Sequence, residues 1–267
     1  MGKIISFANQ KGGVGKTTTC VNLSAYMSAM GKKVLIVDMD PQGNATSSFG
    51  IDKNNSEVKS IYNVISGENY VEEVISKTNL PNLDIIASEL NLAGAEIELV
   101  QMDNRENILR NALNRLRNSY DYICIDCPPS LGLLTINALT ASDSVLIPIE
   151  CGFYALEGLT QLMNTVKLVK KHLNNKIDIE GVVLTMKDNR SNLVQEVSDQ
   201  INKFFGKYVL KTCIPRNVRL AEAPSYGETI LTYDPKCKGA FAYMLLAEEV
   251  LDRNNDTYEK LTKFKRQ

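Results

Sequence analysis

Residues 4–18 constrain the fold more than any other stretch of this 267-residue chain. A β-branched apolar run, Ile4 to Ala8, leads directly into Asn9-Gln10-Lys11-Gly12-Gly13-Val14-Gly15-Lys16-Thr17-Thr18. A helical pattern from Thr17 to Met30 follows, with Gly31 placed to cap its C-terminus. Strand, glycine-rich turn and helix in that order make one unit of a mainly parallel sheet. Gly12, Gly13 and Gly15 permit backbone angles that aim successive amides the same way, and the helix behind them presents its positive end. Such a turn is a cradle for phosphate oxygens.

The alternation continues along the chain. Further apolar runs at Val34 to Val37, Leu83 to Ile86, Tyr122 to Ile125, Ser144 to Ile149, Gly181 to Thr185 and Val209 to Ile214 read as strands. Helical patterns at Arg105 to Asn118, Ala155 to Leu173 and Gly239 to Leu251 lie between or after them. The expected fold class is α/β, a mainly parallel twisted sheet flanked by helices. A content of 44% hydrophobic and 23% charged residues suits a globular chain with a large core and argues against disorder. One domain over residues 1–251 is expected, with 252–267 as a frayed tail. Pro41 to Asn55, rich in Gly, Asn and Ser, reads as a mobile loop.

The ordinary phosphate-loop pattern G-x-x-x-x-G-K-[ST] would place glycine at position 10, where this chain has Gln10. It fits instead the variant K-G-G-x-G-K-[ST], distinguished by Lys11. A nucleoside triphosphate is the natural occupant, with Lys16 reaching the β- and γ-phosphates and the Thr17 hydroxyl ligating Mg²⁺. Two further strands end in acid: Val37-Asp38-Met39-Asp40-Pro41 and Ile125-Asp126-Cys127-Pro128-Pro129. Ligand crevices of open parallel sheets border the carboxyl ends of strands, so Asp38, Asp40 and Asp126 are expected to converge on the loop. His172 is the single histidine, which excludes a histidine metal cluster and leaves hydrolysis to positioned water and cations.

These residues resemble the ParA/MinD group of deviant Walker ATPases, and within it the chromosomal ParA proteins of the Soj type. The resemblance covers residues 1–251 and rests on four blocks: Lys11 to Thr19, Asp38 to Asn44, Asp126 to Gly132 and Ile214 to Leu220. It implies the deviant Walker P-loop fold, with Lys11, Gly12, Gly13, Val14, Gly15, Lys16, Thr17 and Thr18 around ATP or ADP. It implies catalytic roles for Lys11, Lys16 and Asp40, and a Mg²⁺ site drawn from Thr17, Asp40 and Asp126, with Asp40 orienting water. Pro215, Arg216 and Asn217 are expected near the adenine. It further implies an ATP-sandwich homodimer in which Lys11 of one subunit contacts the partner's phosphates. That dimer would bind double-stranded DNA without sequence preference and release it after hydrolysis stimulated by a ParB-type protein. Arg190, Arg216 and Arg219 are the matching basic positions, with Lys203, Lys236 and Lys238 as lesser ones. A cytoplasmic, nucleoid-associated protein that segregates chromosomes or plasmids is the expectation.

Charge alone gives weaker guidance. Residues 1–150 carry 12 basic and 17 acidic side chains, and residues 151–267 carry 18 and 14, far from a dedicated nucleic-acid domain. The six cysteines read as reduced core thiols, and Cys124 and Cys127, although spaced C-x-x-C, read as packing in a strand. An iron–sulfur ATPase would need cluster cysteines that Cys127, directly after Asp126, does not match. No apolar run approaches the ~20 residues that span a bilayer. A rival reading is a MinD-like membrane switch, because Tyr258, Leu261 and Phe264 alternate with Lys260, Lys263, Lys265 and Arg266 at the C-terminus. The opening Met1-Gly2-Lys3-Ile4-Ile5-Ser6 matches a myristoylation pattern, but a buried first strand is the expectation.

Overall fold

Period-two alternation in the apolar runs sends successive side chains to opposite faces of one sheet, so each strand feeds two cores. In the computed structural model, which describes residues 1–53, 55, 57–152, 155–187 and 192–261, seven strands form that sheet. They are β1 (Lys3–Phe7), β2 (Val34–Asp38), β3 (Ile75–Lys77), β4 (Leu83–Ile86), β5 (Tyr122–Asp126), β6 (Ser144–Glu150) and β7 (Asp178–Thr185). Their order is β3-β4-β2-β5-β1-β6-β7, all neighbours parallel except the short edge pair β3–β4.

Leu35, Val37, Ile123 and Ile125 face a core shared with the helices Leu92–Val100, Ile108–Asn114, Leu133–Ala141 and Ala155–His172. Val34, Ile36, Tyr122 and Cys124 face the other core, covered by the helices Lys16–Ala29 and Lys238–Arg253. Cys124 and Cys127 therefore lie in opposite cores, both buried. Burial pushes the Cys124 thiol up to about 12, so the C-x-x-C spacing makes no reactive pair.

Two expectations of secondary structure, the strand at Val209–Ile214 and the helix at 105–118, are revised. Val209–Ile214 runs parallel beside β7 as an irregular segment, joined to it by the bridges Val182–Val209 and Lys187–Pro215 and by the Leu210 and Ile214 amides, which donate to Val182 O at 2.9 Å and Leu184 O at 2.8 Å. Between them the Lys211 and Thr212 amides each donate to the Glu249 carboxylate at 2.8 Å, which takes the place of ladder bonds. The segment after Pro41 contains a short helix, Asn44–Ser47, tied to the sheet by Asp38. The helix expected over 105–118 begins as a 3₁₀ turn, Arg105–Asn107, and continues only over Ile108–Asn114.

Residues 254–261 fold back on the rest of the chain. Helix Lys238–Arg253 passes Leu251, and the chain then turns back so that the Glu259 amide donates to Met30 O at 3.1 Å. Tyr258 and Leu261 pack against the core beside the first helix. Phe264 and the charges around it lie outside the described residues. Among the described residues, no helix is long and apolar enough to cross a membrane. Gly2 is buried with its amide donating to Arg117 O at 2.7 Å, as the first-strand reading expects.

Candidate functional site

Strand register brings the chemistry to one edge. Phe7 of β1 and Asp38 of β2 both lie level with Asp126 of β5, and the connections leave β1 toward β2 but leave β6 toward β7. The crevice at this reversal of direction is where a parallel sheet binds ligands. Residues 8–15 cross it from β1 to the helix Lys16–Ala29. Gly13 and Gly15 adopt φ of 74° and 84°, a left-handed backbone in which a side chain would be strained. Gly15 caps the helix, and its carbonyl accepts the first helical bond from Thr19 at 2.9 Å.

Several braces hold the loop. Asn9 spans it, donating from Nδ2 to Pro148 O at 2.8 Å and accepting the Lys11 amide on Oδ1 at 3.0 Å. Thr185, at the end of β7, donates to Val14 O at 2.8 Å. Gly12 and Gly13 stay exposed, with nothing within 4 Å of the position a β-carbon would take, so the concave side is open to a ligand.

Lys16 is buried and curls back to donate to Lys11 O at 3.2 Å. Burial holds its pKa below the ordinary lysine value, while Asp126 and Asp40 act in the other direction. Lys11 is half-exposed, and its ammonium lies 3.1 Å from Glu150 Oε2 at the end of β6.

The three carboxylates do converge, and they differ in what they bind. Asp38 is saturated: Thr46 donates its amide at 2.8 Å and its hydroxyl at 2.7 Å, and the Asp40 amide donates at 3.2 Å. Burial still raises Asp38 to about 6 against those bonds. Asp38 thus fixes the turn that follows it. Asp40 sits on that turn, accepting the Gln42 amide at 3.0 Å, while its carbonyl takes the Ser88 hydroxyl at 2.7 Å. Asp126 is fully buried, and neither of its oxygens has a hydrogen-bond partner. Burial and then Asp38 hold its pKa well above the carboxylate range. The Thr17 hydroxyl lies near enough to favour the charged form, yet outside hydrogen-bond geometry.

A buried carboxylate without partners is costly unless a cation shares the site. Among the described residues no cluster of three His, Cys, Asp or Glu side chains is arranged to hold a metal alone. One carboxylate, one hydroxyl and an open phosphate cradle instead suit Mg²⁺, which binds through few protein ligands together with phosphate and water.

Pro215 to Asn217 borders the same edge. Asn217 caps the helix Val218–Glu222, and Arg216 projects into solvent with its guanidinium 3.9 Å from Glu150 Oε1. A cleft of about 370 Å³ runs between Thr17, Thr18 and Asn22 on one side and Leu220 and Pro224 on the other. Two cavities of similar size lie at the opposite edge of the sheet, around Arg110 and Arg117 and around Lys33 and Tyr120, far from the carboxylates. Chemistry rather than volume singles out the cleft beside the loop.

Of the basic positions, Arg216 and Arg219 are both exposed; Arg216 has one carboxylate, Glu150, at 3.9 Å, whereas Arg219 pairs more closely with Glu222 at 2.9 Å and Asp234 at 3.5 Å. Arg190 lies outside the described residues. Sequence reading missed Asn9, Thr46, Ser88, Glu150 and Thr185. Glu150 and Thr185 carried a usable signal, since both are polar residues closing apolar strands.

A central strand, a glycine loop opening a helix, and acids at the ends of the adjoining strands define a P-loop nucleotide-binding protein of the deviant Walker class. A family model described as an AAA domain matches residues 2–179. The chain is 58% identical over 250 residues to the sporulation initiation inhibitor protein Soj of Bacillus subtilis, covering 94% of this chain and 98% of that one. It is 49% identical over 254 residues to the chromosome partitioning protein ParA of Myxococcus xanthus, covering 95% and 89%. Among solved structures, cobyrinic acid a,c-diamide synthase of Mycobacterium smegmatis with bound ATP analogue and magnesium matches at a TM-score of 0.83. That match is 32% identical and covers 98% of this chain and 100% of the other. The chain belongs to the ParA/Soj chromosome-partitioning family of P-loop ATPases.

Proposed function

We propose that this ATPase is a nucleotide-driven switch: with ATP and Mg²⁺ it forms a homodimer that binds DNA without sequence preference, and hydrolysis, stimulated by a ParB-type partner, releases it. The observation that carries the reading is the partnerless, buried Asp126 carboxylate facing an open phosphate loop. Thr17 and Asp126 would hold Mg²⁺, which when bound supplies positive charge against the phosphates. Amides of residues 12 to 17 and the Lys16 ammonium bind the β- and γ-phosphate oxygens and stabilise charge as it moves toward the leaving oxygen. Asp40, set on a turn fixed by Asp38 and Ser88, orients the attacking water. Lys11 is exposed enough to reach phosphates in a second subunit and would tie association to ATP. Pro215 to Asn217 borders the base. A single ATPase domain over 1–251, with 252–261 folded back on it, belongs to the same reading.

Arg216 is the best-presented DNA contact; Arg219 would first have to leave Glu222 and Asp234. The MinD-like membrane alternative draws little support, because Tyr258 and Leu261 are packed, partly buried, against the chain's own core. Binding to non-specific duplex DNA and to anionic vesicles, measured with ADP, ATP and a non-hydrolysable analogue, tests the choice. DNA binding is expected only with ATP or the analogue, falling steeply with salt and weakened about 3- to 10-fold by Arg216→Ala. Binding to vesicles in place of DNA would overturn the reading.

A further inference from the structure

Glu150 stands outside every role assigned above, yet its carboxylate faces two cations that the functional reading uses. Oε2 lies 3.1 Å from the Lys11 ammonium, and Oε1 lies 3.9 Å from the Arg216 guanidinium. The residue closes β6, next to β1 and the start of the loop, so its backbone is fixed by the sheet. Lys11 is anchored at its amide by Asn9, whose side chain is itself tied to Pro148 two residues before Glu150. Loop and counter-ion are thus positioned by one strand end, and a half-exposed lysine on a glycine loop is turned inward, onto its own subunit. A lysine in that posture is unavailable to a second subunit until the pair opens.

We propose that Glu150 is a positioning residue that parks Lys11 within its own protomer and so sets the threshold for ATP-driven dimerisation; this rests on the switch reading above. Phosphate oxygens on an incoming subunit compete with Glu150 for the same ammonium. Both protomers of a symmetric dimer must release their lysine, so the effect of one substitution enters twice. A partly exposed pair changes an equilibrium by about two- to fivefold, which squared gives a range of about 4- to 25-fold. The pair is also screened by salt, unlike a packing effect.

Glu150→Gln keeps the shape and removes the charge, and Glu150→Asp keeps the charge. With ATP analogue and Mg²⁺ at low salt, Glu150→Gln is expected to raise the association constant about 4- to 25-fold over wild type, the gap closing at high salt, while Glu150→Asp stays near wild type. A second readout needs no dimer: labelling of the nucleotide-free chain by an amine-reactive ester, followed by peptide mass spectrometry. Labelling at Lys11 should rise about two- to fivefold in Glu150→Gln, with the exposed Lys176 as an unchanged internal reference. Unchanged Lys11 labelling, or a Glu150→Gln chain that dimerises no better than wild type, overturns the proposal. A wild-type chain that never dimerises, with Lys11 labelling raised as expected, would sink the switch reading and the dimerisation threshold while leaving the Lys11–Glu150 pair in place.

Discussion

Lys16→Ala is expected to lower ATP turnover on the order of 10³-fold, as loss of a preorganised cation does in a water-poor site. Lys16 is the first residue of its helix, directly after left-handed Gly15, so its ammonium has a short, fixed path back over the loop. It is buried, its charge is disfavoured by that burial, and it is offset by Asp126 and Asp40. Removing it takes a cation from the phosphate cradle and leaves two carboxylates less compensated. The nucleotide-free chain should therefore also melt lower, by roughly 2–4 °C for each kcal/mol lost in a domain of this size. The loop amides remain, so weak nucleotide binding survives. Single-turnover hydrolysis with bound nucleotide measured separately checks this; turnover within about tenfold of wild type would count against a phosphate role.

Asp126→Asn should act in opposite directions on stability and on chemistry. In the metal-free chain the carboxylate is fully buried, has no hydrogen-bond partner and is crowded by Asp38 and Asp40, which Lys16 only partly offsets. A neutral isostere relieves about 1–3 kcal/mol of that penalty, a rise in melting temperature of roughly 2–12 °C in the presence of a chelator. The pH dependence has a defined sign. Because the folded-state pKa lies above the ordinary value of 3.8, the folded chain keeps a proton that the unfolded chain releases. This group's destabilisation is therefore absent below about pH 4 and grows as pH rises through the folded-state value, and in the variant that component vanishes. Turnover should fall about 10²-fold, since charge stabilisation by a bound metal is worth several kcal/mol. A variant that is less stable under chelation, yet still Mg²⁺-dependent, would contradict the assignment.

Much of this site was legible because its parts are local. Strand, glycine loop and helix over residues 4–30 lie together in sequence, and Asp38 and Asp126 announce themselves by closing apolar runs. Division of labour among the acids was not legible. Asp38 and Asp40 are two residues apart, and only the Thr46 and Ser88 contacts, brought in by tertiary packing, make one a scaffold and leave the other facing the crevice. The Val209–Ile214 run has good strand composition, but its ladder is interrupted by Glu249 from a distant helix. The tail has an amphipathic pattern that suits a lipid surface equally well. The pattern alone does not say that Tyr258 and Leu261 fold back on the first helix.

The central claim is that ATP, through Lys11, controls association. Light scattering of the purified chain with Mg²⁺ and either ADP or a non-hydrolysable ATP analogue, for wild type and for Lys11→Ala, tests it most directly. The expected result is a mass that doubles only with the analogue, and a Lys11→Ala chain that binds nucleotide but remains a monomer. A monomer in every nucleotide state, or a dimer indifferent to both nucleotide and Lys11, would contradict it.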